Sequence, residues 1–340
     1  MFAGVDLGGT KTEIICLDEA SGAEVFRHRK ASPRDDYQAT LDNITSLVRH
    51  AQDECGQSIS SLGIGIPGTI CSVTNNVKNA NSTWLNGHPL AIDLAAMLAM
   101  PVAVDNDANC FAVSEAADGA AAGKAVVFGV IIGTGCGAGL AYHGKAHIGM
   151  NGIGGEWGHN PLPWPRQYSA DARALNAQGA AEREAIISPI YAHKPYIAQY
   201  VDNPHDNEYG GQACYCGKFG CLETWISGTG FENDYHRRSG DHLKGADIVA
   251  RADGGDVHAV RALDAYIDRL ARGLASVVDV LDPDAIVLGG GMGNIEHLYK
   301  ALPDALALYC FSSSLHTDIV PPKHGDSSGV RGAAWLGHQQ

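Results

Sequence analysis

Apolar positions recur along the chain in two rhythms. Short apolar runs closed by glycine read as buried strands, and apolar residues three and four apart read as helices. The chain opens with an apolar strand that ends at Asp6, turns through Gly8 and Gly9, and continues as a second strand over 12–17. Ser21-Gly22 turns it again into a third strand over 24–30. Residues 36–54 carry helical spacing through Leu41, Ile44, Leu47, Val48 and Ala51. A buried strand over 61–66 ends at Pro67-Gly68, a helix covers 92–98, and a strand over 102–104 leads into a helix running to about residue 122. The opening pattern then returns: strand, Gly133-Thr134-Gly135, strand. A long helix over 256–281 repeats its apolar face at Val260, Leu263, Ile267, Leu270, Leu274 and Val277. It is followed by a strand that enters the turn Gly289-Gly290-Gly291 and a further helix. One glycine turn is weak evidence. Two glycine hairpins and a third glycine loop, each after an apolar strand, predict two related α/β halves with a nucleotide phosphate chain between them.

Composition narrows the partners. The 340 residues suffice for two domains with sizeable cores, and 45% hydrophobic with 18% charged residues is ordinary for a globular protein. A net charge of −14 argues against nucleic acid or a membrane surface as partner. An anionic ligand must then be held by backbone amides. Cysteines such as Cys16, Cys55, Cys110 and Cys310 form no secreted framework and fit a reducing cytoplasm. The chain enters a strand at once, so no signal peptide is expected, and no apolar run approaches the ~20 residues that span a bilayer.

The sharpest local chemistry is Cys214-x-Cys216-x4-Cys221, with Gly217 and Gly220 letting three sulfurs converge. With His159 as fourth ligand this is a closed structural zinc site. The alternatives are three free cysteines beside an unrelated histidine, or a disulfide, which adjacent C-x-C sulfurs form poorly. Glu156 and Glu223 flank the cluster. At the first hairpin, Gly8 and Gly9 can wrap N–H groups around an anion, Thr10 adds a hydroxyl, Lys11 a charge, and Asp6 faces a metal–phosphate complex. Taken singly, that turn is better read as an ordinary hairpin, and the Walker spacing is absent. Asp105-Asn106-Asp107-Ala-Asn109 stands where a strand ends and a helix begins, the usual place for a ligand in α/β sheets. Helix capping explains one of these side chains, not all of them. The amide-rich loop 79–87 suits either hydroxyl binding or a plain turn.

These motifs together resemble, in order and over essentially the whole chain, the ROK family of repressors, open reading frames and sugar kinases. The resemblance implies an actin/hexokinase-type (ribonuclease H-like) duplicated α/β fold, with two domains around a cleft. One comprises 1–117 plus 324–340; the other, 118–323, holds the zinc motif. It implies Asp107 as the general base that takes a proton from a sugar hydroxyl attacking the γ-phosphorus of ATP. Asn81, Asn106, Asp107, Glu156, His159 and Glu223 match sugar-binding positions. Gly9, Thr10 and Lys11 match a first phosphate segment, Gly133, Thr134 and Gly135 a second, and Gly289, Gly290 and Gly291 the adenosine side. Mg2+ would come with ATP, through water held by Asp6; Zn2+ would be structural, with His159 sharing its second ring nitrogen with the sugar. A cytoplasmic homodimer is implied. Residues 78–87, 158–164 and 324–335 are most similar to a bacterial fructokinase branch that also accepts mannose, so fructose 6-phosphate is the expected product. The alternatives are a kinase for mannose, glucose or N-acetylglucosamine, and a sugar-sensing regulator. One stretch departs from the family pattern: 165–212 is longer than the usual connector and contains a predicted helix over 170–187. It reads as a surface decoration or as a lid or dimer element, and aromatics at Tyr191, Tyr196, Tyr200 and Tyr209 argue that part of it packs on something.

Overall fold

The computed structural model describes residues 1–339; residue 340, placed above in the first domain, lies outside them. Strands β1 (Phe2–Leu7), β2 (Lys11–Leu17) and β3 (Glu24–Ala31) form an antiparallel meander. Helix α1 (Tyr37–Cys55) follows, started by the Asp36 side chain, which accepts from the Ala39 N–H at 2.9 Å. Strand β4 (Leu62–Ile66), the small hairpin β5 (Thr69–Ile70) and β6 (Val77–Lys78), helix α2 (Leu90–Leu98), strand β7 (Val102–Asn106) and helix α3 (Asp107–Ala117) complete the first half. The second half has strands β8 (Val126–Ile132), β9 (Cys136–Tyr142) and β10 (Lys145–Ala146). Strand β11 (Gln167–Tyr168), helix α4 (Ala172–Ile186) and strand β12 (Tyr200–Val201) come next, then helices α5 (Glu223–Ile226), α6 (Gly228–Ser239), α7 (Gly245–Asp253) and α8 (Val257–Leu281). Strand β13 (Ala285–Gly289), helix α9 (Glu296–Tyr309), strand β14 (Asp318–Val320) and helix α10 (Ser328–His338) close the chain.

The duplication predicted from the glycine turns appears in the strand order. One sheet runs β3-β2-β1-β4-β7, the other β10-β9-β8-β13-β14. In each, an antiparallel meander is extended by two parallel strands. Each sheet has its own apolar core. The halves exchange one helix each. α3 leaves the first sheet and packs on β8 and β9; α10 leaves the second and packs on β1 and β4. The two helices cross so closely that a Cβ on Gly332 would lie 1.6 Å from the Cys110 carbonyl oxygen. Only glycine fits there.

Two sequence expectations need correction, and two helices went unread. Strand β7 runs on to Asn106, so Asp105 lies inside the sheet. Helix α3 stops at Ala117, short of residue 122, because the Glu115 carboxylate turns back to accept from the Ala120 N–H at 2.7 Å. Helices α6 and α7 carry too few regularly spaced apolar residues to be read from pattern; α6 is started by Ser227, which accepts from Gly230 N–H at 3.0 Å, and is held by buried Phe231 and Tyr235.

The 165–212 segment docks on α8 and α9. Glu208, 4% exposed, accepts from Arg269 and Arg272 of α8, each at 2.7 Å, and from the Arg166 N–H at 3.0 Å. Asp234 on α6 joins through Arg238 at 2.9 Å and Arg269 at 3.2 Å. The Lys194 ammonium donates to the Ala307 carbonyl at 3.0 Å, and Tyr191 packs on Phe311 with ring centroids 4.8 Å apart. Of the segment's predicted packing aromatics, Tyr209 is exposed. Among the described residues no helix is long and apolar enough to cross a membrane.

Candidate active site

The parallel strands of the first sheet place Asp6, Gly65 and Asp105 side by side at their carboxyl ends. The acidic run beyond them sorts itself by hydrogen bonding. Asp105, 1% exposed, accepts from the Asn106 N–H at 2.7 Å and the Asn109 amide at 2.9 Å, so it braces the turn from inside. Asn106 is the helix cap: its side chain accepts from the Ala108 N–H at 2.9 Å and donates to the Gly68 carbonyl at 3.1 Å. Asp107, the first residue of α3, accepts from the Ala108 N–H at 2.8 Å and faces the space between the halves.

That space is a cleft of about 810 Å³. Asn81, Asn106, Asp107, Glu156, His159 and Glu223 all line it, with Gly133, Thr134 and Gly135 from the β8–β9 turn. A second cavity of about 580 Å³ adjoins it past Tyr215 and Thr134, running to Thr229 and Asn233 on α6. Gly133 to Gly135 are tied to the start of α6, since the Gly228 N–H donates to the Gly133 carbonyl at 2.8 Å and the Thr229 hydroxyl to that of Thr134 at 3.0 Å. Gly289 pairs in register with Ile131, so Gly289 to Gly291 turn beside the same region. Gly9, Thr10 and Lys11 are exposed at the tip of the β1–β2 turn and are not among the residues that line the cleft.

The cleft is electrostatically loaded. Burial pushes the Asp6 carboxyl up to about 6, with Asp107 and Glu13 adding to the rise and Arg29 opposing it. Burial also raises Asp107, and Glu156 raises it further against the Ala108 N–H bond. Like charges gathered in a half-desolvated cleft favour protonation, or a cation between them.

The cysteine cluster forms next to this cleft. Leu162 N–H donates to the Gly220 carbonyl at 2.9 Å and Leu222 N–H to that of Asn160 at 2.8 Å, which lays His159 against the knuckle. Ligand atoms of His159, Cys214, Cys216 and Cys221 lie within 4.8 Å of one another. Cys216 and Cys221 sulfurs are 3.6 Å apart, as are the Cys214 sulfur and His159 Nδ1. Bonds of about 2.3 Å to a tetrahedral zinc set sulfur–sulfur edges at about 3.8 Å, whereas a disulfide needs about 2.05 Å. The donor set therefore fits zinc, and Cys214, Cys216 and Cys221 are free thiols rather than members of a bridge. His159 Nε2 points the other way, to the Tyr215 hydroxyl at 3.0 Å and to Glu156 at 3.9 Å. Glu223 accepts from the Cys136 N–H at 2.9 Å.

A family profile described as the ROK family matches residues 2–340. The chain belongs to the ROK family. It is 36% identical over 336 residues to N-acetyl-D-glucosamine kinase of Photobacterium profundum, and 37% identical over 336 residues to the protein of that name from Pasteurella multocida. Each alignment covers 99% of both chains. In structure it is similar to ROK hexokinase from Thermus thermophilus, with a TM-score of 0.77 at 24% identity over 99% of this chain and 98% of that one. The two-domain actin/hexokinase-like fold expected from the sequence is thus the observed one.

Within this ROK chain, sequence reasoning passed over Tyr215, Thr229 and Asn233. Tyr215 could have been suspected, because it is the residue enclosed by Cys214 and Cys216. Thr229 and Asn233 gave no signal; only the packing of α6 beside the β8–β9 turn brings them to the cavity.

Proposed function

We propose that this ROK protein is an ATP-dependent sugar kinase with N-acetyl-D-glucosamine as its acceptor and Asp107 as its general base. The observation that carries the kinase reading is the sorting of the acidic run: Asp105 braces, Asn106 caps, and of the two carboxylates Asp107 is the one that faces the cleft, with a raised affinity for protons. Such a carboxylate is suited to take the proton of a hydroxyl as its oxygen attacks the γ-phosphorus. Asn81, Asn106, Glu156, His159 and Glu223 offer the amides, carboxylates and imidazole that hold vicinal hydroxyls. Backbone N–H groups of Thr134 and Gly135 suit phosphate oxygens, the Gly133 N–H being spent on the Gly135 carbonyl at 3.0 Å, and Asp6 suits water on the Mg2+ that accompanies ATP. Gly9, Thr10 and Lys11 remain the proposed first phosphate segment, and Gly289, Gly290 and Gly291 would border the adenosine. His159, Cys214, Cys216 and Cys221 would hold zinc as a structural ion, which leaves no open coordination position. The domain limits 1–117 with 324–340 and 118–323 belong to this proposal, with the crossing of α3 and α10 as their hinge.

The acceptor rests on the relatives, at 36–37% identity along the full chain. Fructose, favoured by the local motifs 78–87, 158–164 and 324–335, is the second reading. ADP release with Mg·ATP, compared by kcat/KM across N-acetylglucosamine, fructose, mannose, glucose and no sugar, tests both. N-acetylglucosamine is expected to lead. A clear lead for fructose would replace the acceptor and leave the kinase standing. No stimulation by any sugar would remove the kinase reading in favour of a sugar-sensing regulator.

A further inference from the structure

Away from the crossing of α3 and α10, the two halves also meet on the far side of the cleft. The β5–β6 hairpin reaches out from the first half, and the glycine-rich segment 148–155 from the second. The Lys78 ammonium donates to the Asn151 carbonyl at 2.9 Å, and the Ser72 hydroxyl to the Met150 carbonyl at 3.0 Å. Gly152 (φ +64) sits against the hairpin so closely that a Cβ there would stand 3.1 Å from the Thr69 hydroxyl and 3.3 Å from the Ile70 carbonyl. Both partners of this contact line the cleft, through Gly68 and Thr69 on one side and Gly152, Ile153 and Gly154 on the other.

The segment is built as one piece. Its ends meet through the Gly154 N–H, which donates to the Ile148 carbonyl at 3.1 Å, and the Gly152 N–H bonds the Gly149 carbonyl at 3.2 Å. Its carboxyl end is pinned to the second sheet where the Ala138 N–H donates to the Gly155 carbonyl at 3.2 Å. Glu156 and His159 follow directly. The contact with the hairpin uses side-chain donors on one half and only backbone carbonyls on the other. It can therefore form or break without rearranging either core.

We propose that Lys78, aided by Ser72, is a positioning residue that latches the 148–155 segment across the cleft, so that closure of the halves and placement of Glu156 and His159 are one event. The proposal deepens the sugar-kinase reading, on which its catalytic consequence rests. Lys78 touches no reacting atom; it acts through the segment it holds. Losing one charge-assisted hydrogen bond between the halves changes the closed population by about tenfold.

The test uses the intact protein with Lys78→Met, which keeps the length and removes the donor, and Lys78→Arg, which restores one. Amide hydrogen exchange over residues 149–154 without sugar is expected to quicken about tenfold in Lys78→Met and to return toward the parent rate in Lys78→Arg. The KM for the hexose is expected to rise about tenfold in Lys78→Met with kcat little changed, and to recover in Lys78→Arg. Unchanged exchange overturns the latch. Faster exchange with unchanged KM, or a fall in kcat at constant KM, overturns the positioning role. Exchange reads the latch even if no sugar is turned over, so failure of the kinase reading and failure of this one are told apart.

Discussion

Two groups of carboxylates crowd among other charges in this protein, and they are treated in opposite ways. Glu208 and Asp234 sit among Arg269, Arg272 and Arg238, and their carboxyls are held below the usual range, Glu208 at about 2. Burial works against both, and the arginines outweigh it. Asp107 opens onto the cleft, Asp6 stands half-buried behind it, and both are pushed up with other acids near them. The first group joins the 165–212 segment to α8 and α6, and its charge is balanced within the chain. The second leaves charge unbalanced at the mouth of a cleft, a cost to folding that makes sense where a ligand supplies the balance. Buried charge that is paired internally is architecture; charge of one sign gathered beside an open cleft points outward to a cation and a proton donor.

The largest expected effect separates the groups at once. Asp107→Asn should lower sugar-dependent turnover by about 10²–10⁴-fold while thermal unfolding stays at or above the parent midpoint, because a carboxylate unfavourably placed has been neutralised. Steady-state kinetics beside calorimetry checks this; near-normal turnover would remove Asp107 from the role of base.

Glu208→Gln should do the reverse. Two buried arginines lose one counter-charge, leaving Asp234 to Arg269 and Asp268 to Arg272, and about 3–5 kcal/mol of stability goes with it. The protein that remains folded should keep its kcat, since the network lies away from the cleft. Denaturant unfolding that shows no loss would mean that water reaches these arginines and the pairing is not structural.

The smallest effect lies in pH dependence, and its sign differs between the groups. Glu208 has a folded-state pKa below its unfolded value of 4.5, so its stabilisation is present above about 4.5 and is lost as pH falls toward 2. Asp6 has a folded-state pKa raised from 3.8 to about 6, so it costs stability as pH rises through that interval. Asp6→Asn should recover on the order of 1–3 kcal/mol at pH 7 and flatten the stability profile between about pH 4 and 6. An unaltered profile would show that Asp6 is already balanced in the free protein.

Much of the first picture was legible because it depends on local chemistry. Strands and helices follow apolar spacing, and Asp36 and Asp256 start α1 and α8 where the pattern begins. The Cys214-x-Cys216-x4-Cys221 turn needs only its own glycines to gather three sulfurs. The repeated glycine hairpins announced a duplication that the two sheets carry out strand for strand. The 165–212 segment resisted reading for the opposite reason. Its partners on α8 lie more than 60 residues away, at separations of 61 and 64 from Glu208, and nothing local distinguishes these charges from solvated ones.

Sequence alone therefore determined the elements, the duplication and the residue types available for chemistry, because each is written in spacing that short-range sterics and burial read directly. Tertiary structure decided which members of each set are free to act. It turned Asp105 inward and Asn106 into a cap, leaving Asp107 in the cleft. It carried Gly228 and Thr229 to the β8–β9 turn, and it set Lys78 across the cleft from Asn151. Hydrogen bonding is a competition for partners, and who the partners are is known only once distant segments have packed.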